Sequence, residues 1–265
     1  ISLPMKNNRN IQAIIFDLSG TLVDFGSLAT INTMKSVFKK KKIIISKKLI
    51  QKDMGIKKIN HIKKILNNPQ IKIQWFKIYK KKITNEQIYD LGHRFDKRLT
   101  IEVNKRLNIV PNVRKLFKIL IRNNIKIGAT TGYPKKITRI IVNYLKKNKI
   151  YLECCVSDDE VKKSRPSPDM CIKNLKKFKI LGNSAIKVDD SISGILEGKK
   201  AKMITVGLTS TGISVGKNRY EFQNLTTIKK NKIKNTTRKI FKKIKTDYII
   251  ENHFEFQKLL DLLLC

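Results

Sequence analysis

The segment from Ile11 to Asp24 constrains this chain more than any other part of it. A short apolar run, Ile11 to Phe16, ends at Asp17, and a Gly20-Thr21 turn follows. In α/β proteins, ligands bind at the carboxyl ends of buried parallel strands. A carboxylate there can act as a nucleophile and can ligate a hard cation. A strand followed by an ordinary Asp-containing turn is the alternative, and the length of the ordered pattern favours a functional site.

Short apolar runs alternate with helical segments over much of the chain. The runs typical of strands are Ile11 to Phe16, Ile125 to Thr130, Cys154 to Ser157, Ile186 to Val188 and Met203 to Val206. The segments with the apolar spacing of helices are Pro134 to Lys147, Pro168 to Phe178 and Ile192 to Lys200. This alternation predicts the α/β class, with a Rossmann-like parallel-sheet core covered by helices on both faces.

The interval from about Gly26 to Asn108 breaks this alternation, because it contains no clear strand. Its apolar residues recur every three or four positions, which is typical of helices. We therefore predict an inserted α-helical cap domain of residues 26–108 above the carboxyl edge of the sheet. Residues 1–25 and 109–265 form the predicted core domain.

The two ends of the chain carry weaker signals. The segment from Tyr220 to Cys265 is predicted to add helices, with Tyr248 to Ile250 as an edge strand. The lysine-rich stretch from Lys229 to Lys245 is interpreted as an exposed amphipathic helix. Residues 1–10 lack the apolar region of a secretory signal and are interpreted as a frayed leader.

A formal net charge of +38 over 265 residues raises the hypothesis of nucleic-acid binding. Only ten of the 58 basic residues are arginine, the residue best suited to bidentate phosphate contacts. The lysines are spread over every segment and accompany many Asn and Ile residues, as a nucleotide bias toward A and T produces. We therefore expect non-specific binding to polyanions at low salt and no specific nucleic-acid function.

Location is inferred from two compositional features. No run of eighteen apolar residues occurs, so no membrane-spanning segment is predicted. The four cysteines show neither metal-ligand spacing nor a disulfide framework, which fits a reducing compartment. A cytoplasmic location is the prediction.

Polar residues follow several of the predicted strands. They are Asp17, the run Thr130-Thr131-Gly132-Tyr133, Arg165 before a predicted helix, and the run Asp189-Asp190-Ser191. Together they supply an attacking carboxylate, donors for phosphate oxygens, a cation against developing charge and an acid for Mg²⁺. Each is weak evidence alone, and their order along the chain predicts a phosphoryl-transfer site.

This ordered set resembles the four motifs of the haloacid dehalogenase-like superfamily, whose phosphotransferases form an aspartyl-phosphate with Mg²⁺. Most phosphatases of that superfamily carry a second aspartate two residues after the nucleophile, as general acid and base. Ser19 occupies that position here and cannot do that work.

The predicted cap makes the resemblance more specific. The pattern Met54-Gly55-x-x-Lys58-x-x-His61 resembles that of the phosphonoacetaldehyde hydrolases, in which a cap lysine accompanies a small residue at the position of Ser19. The resemblance extends from Ile11 to about Leu260. It implies a small phosphonate substrate, cleavage of its carbon–phosphorus bond, and Mg²⁺ as cofactor. It also implies a homodimer formed through the caps.

Such a reaction has a use for a lysine. Breaking a carbon–phosphorus bond leaves a carbanion, which is a poor leaving group. An amine that condenses with the neighbouring aldehyde gives a protonated imine, and this accepts the electron pair as an enamine. A free lysine, with a pKa near 10.4, is only about 0.04% neutral at pH 7, so the site has to lower that pKa.

The resemblance also implies roles for particular residues. Lys58 is expected to form the Schiff base and Asp17 to be the nucleophile and a metal ligand. The main-chain carbonyl of Ser19 and the carboxylate of Asp190 complete the expected metal ligands. The residues expected to bind substrate are Thr131, Gly132 and Arg165 at the phosphoryl group, His61 as a proton relay, and Met54, Gly55 and Tyr133 as pocket walls.

The chain departs from the family pattern at three places. Ser19 stands where alanine is usual, and Ser27 stands where cysteine is usual. The fourth motif usually reads Gly-Asp-Thr-x-x-x-Asp, whereas here Asp189 replaces the glycine and Gly194 replaces the last aspartate. Two alternatives stay open: a phosphatase acting on a phosphate ester, and a catalytically decayed basic binding protein.

Overall fold

The computed structural model describes residues 10–264. Six parallel strands form one sheet in the order β3-β2-β1-β4-β5-β6. The strands are β1 (Ala13–Phe16), β2 (Lys126–Thr131), β3 (Cys154–Ser157), β4 (Ala185–Asp189), β5 (Ile204–Leu208) and β6 (Tyr248–Ile250). The order reverses at β1, so β1 and its neighbours β2 and β4 create a crevice at their carboxyl ends.

The α/β class and the parallel Rossmann-like core predicted from the sequence are confirmed. The edge strand lies at Tyr248–Ile250, as predicted. Strand β1 begins at Ala13 rather than Ile11, and β2 runs one residue further, through Thr131. Strand β4 includes Asp189, so Asp190 is the first residue beyond it.

Only helices and turns occur between residues 27 and 107 in the described structure. These helices are α1 (Leu28–Lys40), α2 (Lys47–Lys52), α3 (Lys58–Leu66), α4 (Pro69–Tyr79) and α5 (Asn85–Arg106). Helix α1 packs along α5. The segments entering and leaving this region lie side by side, with Asp24 N donating to Asn108 O at 3.1 Å and Val110 N to Leu22 O at 2.9 Å.

The remaining helices belong to the part of the chain that builds the sheet. They are α6 (Val113–Arg122), α7 (Lys135–Lys147), α8 (Asp169–Phe178), α9 (Ile192–Lys200), α10 (Arg219–Gln223), α11 (Thr227–Lys243) and α12 (His253–Leu264). Helix α11 covers most of the lysine-rich stretch and is mainly exposed. No helix in residues 10–264 has the length and apolar character needed to cross a membrane. The predicted leader lies outside the described residues except for Asn10, and Cys265 lies outside them as well.

Strand β1 is buried on both faces, as expected for the central strand of a parallel sheet. Phe16, at its end, is fully buried and stacks on Phe117 with ring centroids 5.6 Å apart. The Phe256 ring lies nearly perpendicular to that of Phe16, with ring centroids 6.3 Å apart. This aromatic cluster fixes the end of the strand directly before Asp17.

We predict that Phe16→Ala lowers the free energy of unfolding by about 3–5 kcal/mol, because it leaves a cavity under β1. Urea denaturation measures this loss. Phe254→Ala is the matched control, since Phe254 is 48% exposed and its truncation should change stability by about 0.5 kcal/mol or less. Similar losses for both variants would contradict this account of the core.

Candidate active site

Ten of the eleven predicted site residues line one pocket at the carboxyl ends of β1, β2 and β4. They are Asp17, Ser19, Met54, Gly55, Lys58, Thr131, Gly132, Tyr133, Arg165 and Asp190. One side of the pocket is formed by the segment between α2 and α3, together with the first residue of α3. The predicted residue that is missing from its wall is His61.

Asp17 follows Phe16 directly and is almost fully buried. Its Oδ1 atom accepts a hydrogen bond from Arg165 Nη1 at 2.8 Å. The other oxygen, Oδ2, accepts no hydrogen bond from any residue between 10 and 264 and is free to act as a nucleophile. Burial, followed by the nearby Asp189, raises the pKa of Asp17 to about 6, although Arg165 and Lys187 oppose that rise.

Arg165 lies at the centre of a buried charge cluster. Its Nε atom donates to Glu197 Oε2 at 2.8 Å, and Nη2 lies 3.3 Å from Asp189 Oδ2. Lys187, fully buried in β4, places Nζ 3.1 Å from the same Asp189 oxygen. Thr130 Oγ1 accepts hydrogen bonds from both cations, at 2.7 Å each. Lys187 and Glu197 belong to this cluster although the sequence motifs do not single them out.

The charges of the cluster fit a divalent metal. Three buried carboxylates, those of Asp17, Asp189 and Glu197, contact two buried cations, Arg165 and Lys187, and a fourth, Asp190, lies beside them with no cation partner among residues 10–264. Carboxylate oxygens of Asp17, Asp189 and Asp190 all lie within 4.8 Å of one another. Burial, followed by Asp17 and Asp189, raises the pKa of Asp190 well above its usual range. A hard divalent cation among these oxygens would balance the excess negative charge.

Ser27 connects the expected metal ligands. Its hydroxyl donates to the Ser19 carbonyl at 3.2 Å and to Asp190 Oδ2 at 3.3 Å. Gly20, between them in the loop, has φ +86°, and a Cβ there would lie 2.6 Å from Asp190 Oδ2. The loop after β1 therefore reaches Asp190 only because residue 20 is glycine.

Asp189 and Gly194, the two positions at which the fourth motif departs from the expected pattern, lie next to each other. A Cβ on Gly194 would lie 1.8 Å from Asp189 Oδ2. The Asp189 carboxylate thus fills the space that a side chain at position 194 would need. Asp189 supplies a buried acid from β4, with a carboxylate oxygen within 4.8 Å of those of Asp17 and Asp190. Its pKa is lowered despite its burial, because Arg165 and Lys187 lie beside it.

Lys58 is the first residue of α3 and lines the pocket from the side of the helical region. Its Nζ atom lies 5.2 Å from the centre of the Tyr133 ring. Burial lowers the Lys58 pKa to about 8, although Asp158 and Asp17 oppose that fall. The positive end of the α3 dipole acts in the same direction as burial.

The segment between α2 and α3 packs closely against the loops at the carboxyl ends of β2 and β4 through two glycines. A Cβ on Gly132 would lie 2.9 Å from the Gly55 carbonyl oxygen. Gly55 has φ +93°, and a Cβ there would lie 2.4 Å from Ser193 Oγ. Larger residues at either position would push the segment between α2 and α3 away from the sheet.

His61 lies behind Lys58, inside the helical region. Its Nε2 atom is 2.9 Å from the Ile50 carbonyl oxygen, and its ring is fully buried. Burial, followed by the Lys58 charge, lowers the pKa of His61 to about 3, so the ring is neutral near pH 7. His61 therefore lies outside the pocket wall and joins α2 to α3, and its expected role as a proton relay stays a prediction.

A chain of hydroxyl groups connects the sheet to α1. Tyr133 Oη lies 2.9 Å from Thr30 Oγ1 and donates to Ser19 Oγ at 3.4 Å. Ser19 Oγ in turn donates to Asp24 Oδ2 at 3.1 Å. Asp24 accepts the backbone N–H groups of Leu28 and Ala29, at the start of α1, at 3.0 and 2.9 Å.

We predict that Lys187→Met lowers the free energy of unfolding by about 3 kcal/mol, because it leaves Asp189 and Glu197 with one cation fewer in a buried site. Lys173→Met is the control, since Lys173 is exposed and lies 3.9 Å from Glu160, a pair worth about 1 kcal/mol or less. Urea denaturation of both variants measures the difference. Equal losses of unfolding free energy in the two variants would contradict the stabilising role given to the buried ion pairs of Lys187.

Comparisons with known proteins agree with this geometry. Residues 14–208 match the family model described as haloacid dehalogenase-like hydrolase. A phosphonoacetaldehyde hydrolase of Hahella chejuensis is 32% identical over 88% of this chain and 80% of its own length. One of Latilactobacillus sakei is 31% identical over 78% of each chain. The crystal structure of a phosphonoacetaldehyde hydrolase-like protein from Oleispira antarctica superposes with a TM-score of 0.93, at 28% identity, covering 99% of this chain and 96% of that one.

Proposed function

Because the chain belongs to the phosphonoacetaldehyde hydrolase family of the haloacid dehalogenase-like hydrolases, we propose that it cleaves phosphonoacetaldehyde to acetaldehyde and phosphate. The observation that carries the proposal is the presence of the Lys58 amine and the Asp17 carboxylate in the wall of one pocket. The Asp17 carboxylate alone would be compatible with any phosphoryl transfer. Cleavage of a carbon–phosphorus bond also requires an amine of lowered pKa in the same pocket, because the amine has to form the imine that accepts the electron pair.

Lys58 begins the proposed reaction. At a pKa of about 8, about 9% of the amine is neutral at pH 7, against about 0.04% for a free lysine. The neutral amine attacks the aldehyde carbon, and loss of water gives a protonated imine. When the carbon–phosphorus bond breaks, its electron pair moves into this imine and forms an enamine.

Asp17 accepts the phosphorus. Its unengaged Oδ2 attacks while Arg165 holds Oδ1, and an aspartyl-phosphate results. The enamine takes a proton on carbon and is hydrolysed, which releases acetaldehyde and restores Lys58. Water then hydrolyses the aspartyl-phosphate. The hydroxyl of Thr131, the backbone of Gly132 and the guanidinium of Arg165 are the proposed phosphoryl-binding groups.

Mg²⁺ is the proposed metal, held by Asp17, Asp190 and the Ser19 carbonyl. When bound, it offsets the negative charge of the transferring phosphoryl group. The excess of buried carboxylates over buried cations supports this assignment. Ser27, which donates to both Ser19 and Asp190, would keep these two ligands in place.

Ester hydrolysis is less well supported. The Ser19 hydroxyl donates to Asp24 and stands where the general acid of an ester phosphatase would be required. The intact buried cluster argues against a decayed binding protein. A homodimer through the cap, a cytoplasmic location and the lack of specific nucleic-acid binding stay predictions.

We predict that Lys58→Arg abolishes phosphate release from phosphonoacetaldehyde, because a guanidinium keeps the charge and forms no imine. Borohydride added with substrate should attach the substrate carbons to Lys58 of the unchanged protein, as read by peptide mass spectrometry. Lys57→Arg is the matched control, since Lys57 is exposed, and should retain activity. Turnover by Lys58→Arg, or faster release from phosphate esters than from the phosphonate, would defeat the proposal.

We also predict that saturating Mg²⁺ raises the melting temperature by several degrees, since a ligand at 100 times its Kd stabilises the folded state by about 2.7 kcal/mol. Asp190→Asn should lose this shift, while Asp261→Asn, an exposed change, should keep it. EDTA should stop phosphate release by the unchanged protein. A shift that persists in Asp190→Asn would remove Asp190 from the metal site.

A further inference from the structure

The loop of residues 209–217 lies between the proposed metal site and the helical region. It follows β5, so it begins at the same edge of the parallel sheet as the pocket. Ile213, near its middle, lines the pocket wall. The proposed reaction gives no role to any residue of this loop. Its contacts on two sides connect a metal ligand to helix α2.

On the side of the metal site, the loop is bound to Asp190. The Ile213 N–H donates to Asp190 Oδ2 at 2.6 Å, and the Ser27 hydroxyl donates to the same oxygen at 3.3 Å. A Cβ on Gly212 would lie 1.8 Å from this oxygen, so the backbone can approach it only because residue 212 is glycine. The other oxygen, Oδ1, accepts a longer bond from Thr21 Oγ1 at 3.4 Å. The loop therefore restricts how the Asp190 carboxylate can turn.

On the side of the helical region, two side chains of α2 bind the same loop. The side-chain amide of Gln51 donates to the Ile213 carbonyl oxygen. The ammonium group of Lys47 donates to the Gly216 carbonyl oxygen. Gly216 has φ +50°, and a Cβ there would lie 2.3 Å from Lys47 Cε, so glycine permits this contact too. Gln51 and Lys47 are four residues apart and therefore lie on one face of α2.

The backbone of Ile213 joins the two sets of contacts. Its N–H is bound to Asp190, and its carbonyl oxygen is bound to Gln51. Only φ and ψ of Ile213 separate these two groups, since the peptide units themselves are planar. A residue that is bound at both groups has little freedom to turn. Loss of the bond at the carbonyl oxygen would therefore loosen the bond to Asp190.

We propose that Gln51 is a positioning residue for the metal, because it holds Ile213 in the place from which its N–H orients the Asp190 carboxylate. Lys47 supports the same loop. This inference rests on the metal site of the proposed function and not on the identity of the substrate. Because coupling between two binding events is reciprocal, Mg²⁺ should strengthen the contact of α2 with the loop by the same factor.

A purely structural contact is the competing explanation. It predicts that loss of the Gln51 amide lowers stability and leaves the affinity for Mg²⁺ unchanged. Gln74 supplies the matched control, since its side-chain amide also donates to a main-chain carbonyl oxygen, that of Ile44, at 3.1 Å. Both residues of that bond belong to the helical region, so its loss should not reach the metal site.

Calorimetric titration with Mg²⁺ measures the affinity of the folded protein without any substrate. Gln51→Met keeps an unbranched side chain of good helix propensity and removes the donor. It should raise the Kd for Mg²⁺ about fivefold, the effect expected from one lost hydrogen bond. Gln74→Met should leave this Kd unchanged.

Lys47→Met separates positioning from charge. Removal of a positive charge from α2 should by itself tighten Mg²⁺ binding, because a cation no longer repels the metal. Loss of the bond to Gly216 should weaken Mg²⁺ binding. We expect the second effect to dominate, so the Kd should rise. Lys48→Met removes the neighbouring exposed charge and should not raise the Kd.

Hydrogen exchange read by mass spectrometry tests the reciprocal effect. In the unchanged protein, Mg²⁺ should slow exchange in peptides that cover residues 209–217 and in peptides that cover residues 47–54. In Gln51→Met, residues 209–217 should exchange about fivefold faster without the metal. Mg²⁺ should no longer slow residues 47–54 in this variant, because the bond that joins them to the loop is absent.

A Kd for Mg²⁺ in Gln51→Met equal to that in Gln74→Met would overturn the proposal. Should Gln51→Met fail to fold, a Kd in Lys47→Met at or below that of the unchanged protein would overturn it equally. An unchanged protein that binds no Mg²⁺ would overturn both the metal assignment and this inference. If the Kd values shift as expected and phosphonoacetaldehyde releases no phosphate, the proposed reaction alone is defeated, so the two failures are distinguishable.

Discussion

The pocket depends on one constraint, which is that Asp17 and the acids beneath it are held by ion pairs with two buried cations. Arg165 is the centre of this pairing, since one guanidinium contacts Asp17, Glu197 and Asp189. A planar guanidinium donates in fixed directions, so carboxylates on three sides hold it in a single orientation. That orientation engages one oxygen of Asp17 and leaves the other turned to the pocket. Lys187 supplies the second positive charge that makes three buried acids tolerable.

The position of the site could be predicted because its chemistry is local in sequence. A buried parallel strand appears as an apolar run, and Asp17 and Asp190 follow such runs directly. The partners of Arg165 could not be predicted in this way. Glu197 lies 32 residues from Arg165 and meets it only after α9 packs on the sheet. One acid in a helix carries no signal that it faces inward.

Side-chain direction explains the other differences. His61 lies three residues after Lys58, close to one helical turn, yet the two side chains diverge, one to the pocket and the other to the Ile50 carbonyl. A sequence motif gives the spacing of residues along a helix. It does not show which other elements pack around that helix, and these decide which side chain reaches the pocket. The relation between Asp189 and Gly194 could not be predicted for the same reason. The Asp189 carboxylate occupies the space beside Gly194 only once β4 and α9 are folded together.

The bond between Tyr133 and Thr30 bears on the reactivity of Lys58. It joins the segment after β2 to α1, and the contact of Gly55 on Gly132 joins the sheet to the helical region a second time. Burial is the main cause of the lowered pKa of Lys58, and the Tyr133 ring lies beside its amine. A substitution that separates the helical region from the sheet would therefore return this lysine toward the basicity of a free amine, so the fit between the two regions also governs how much of the amine is neutral.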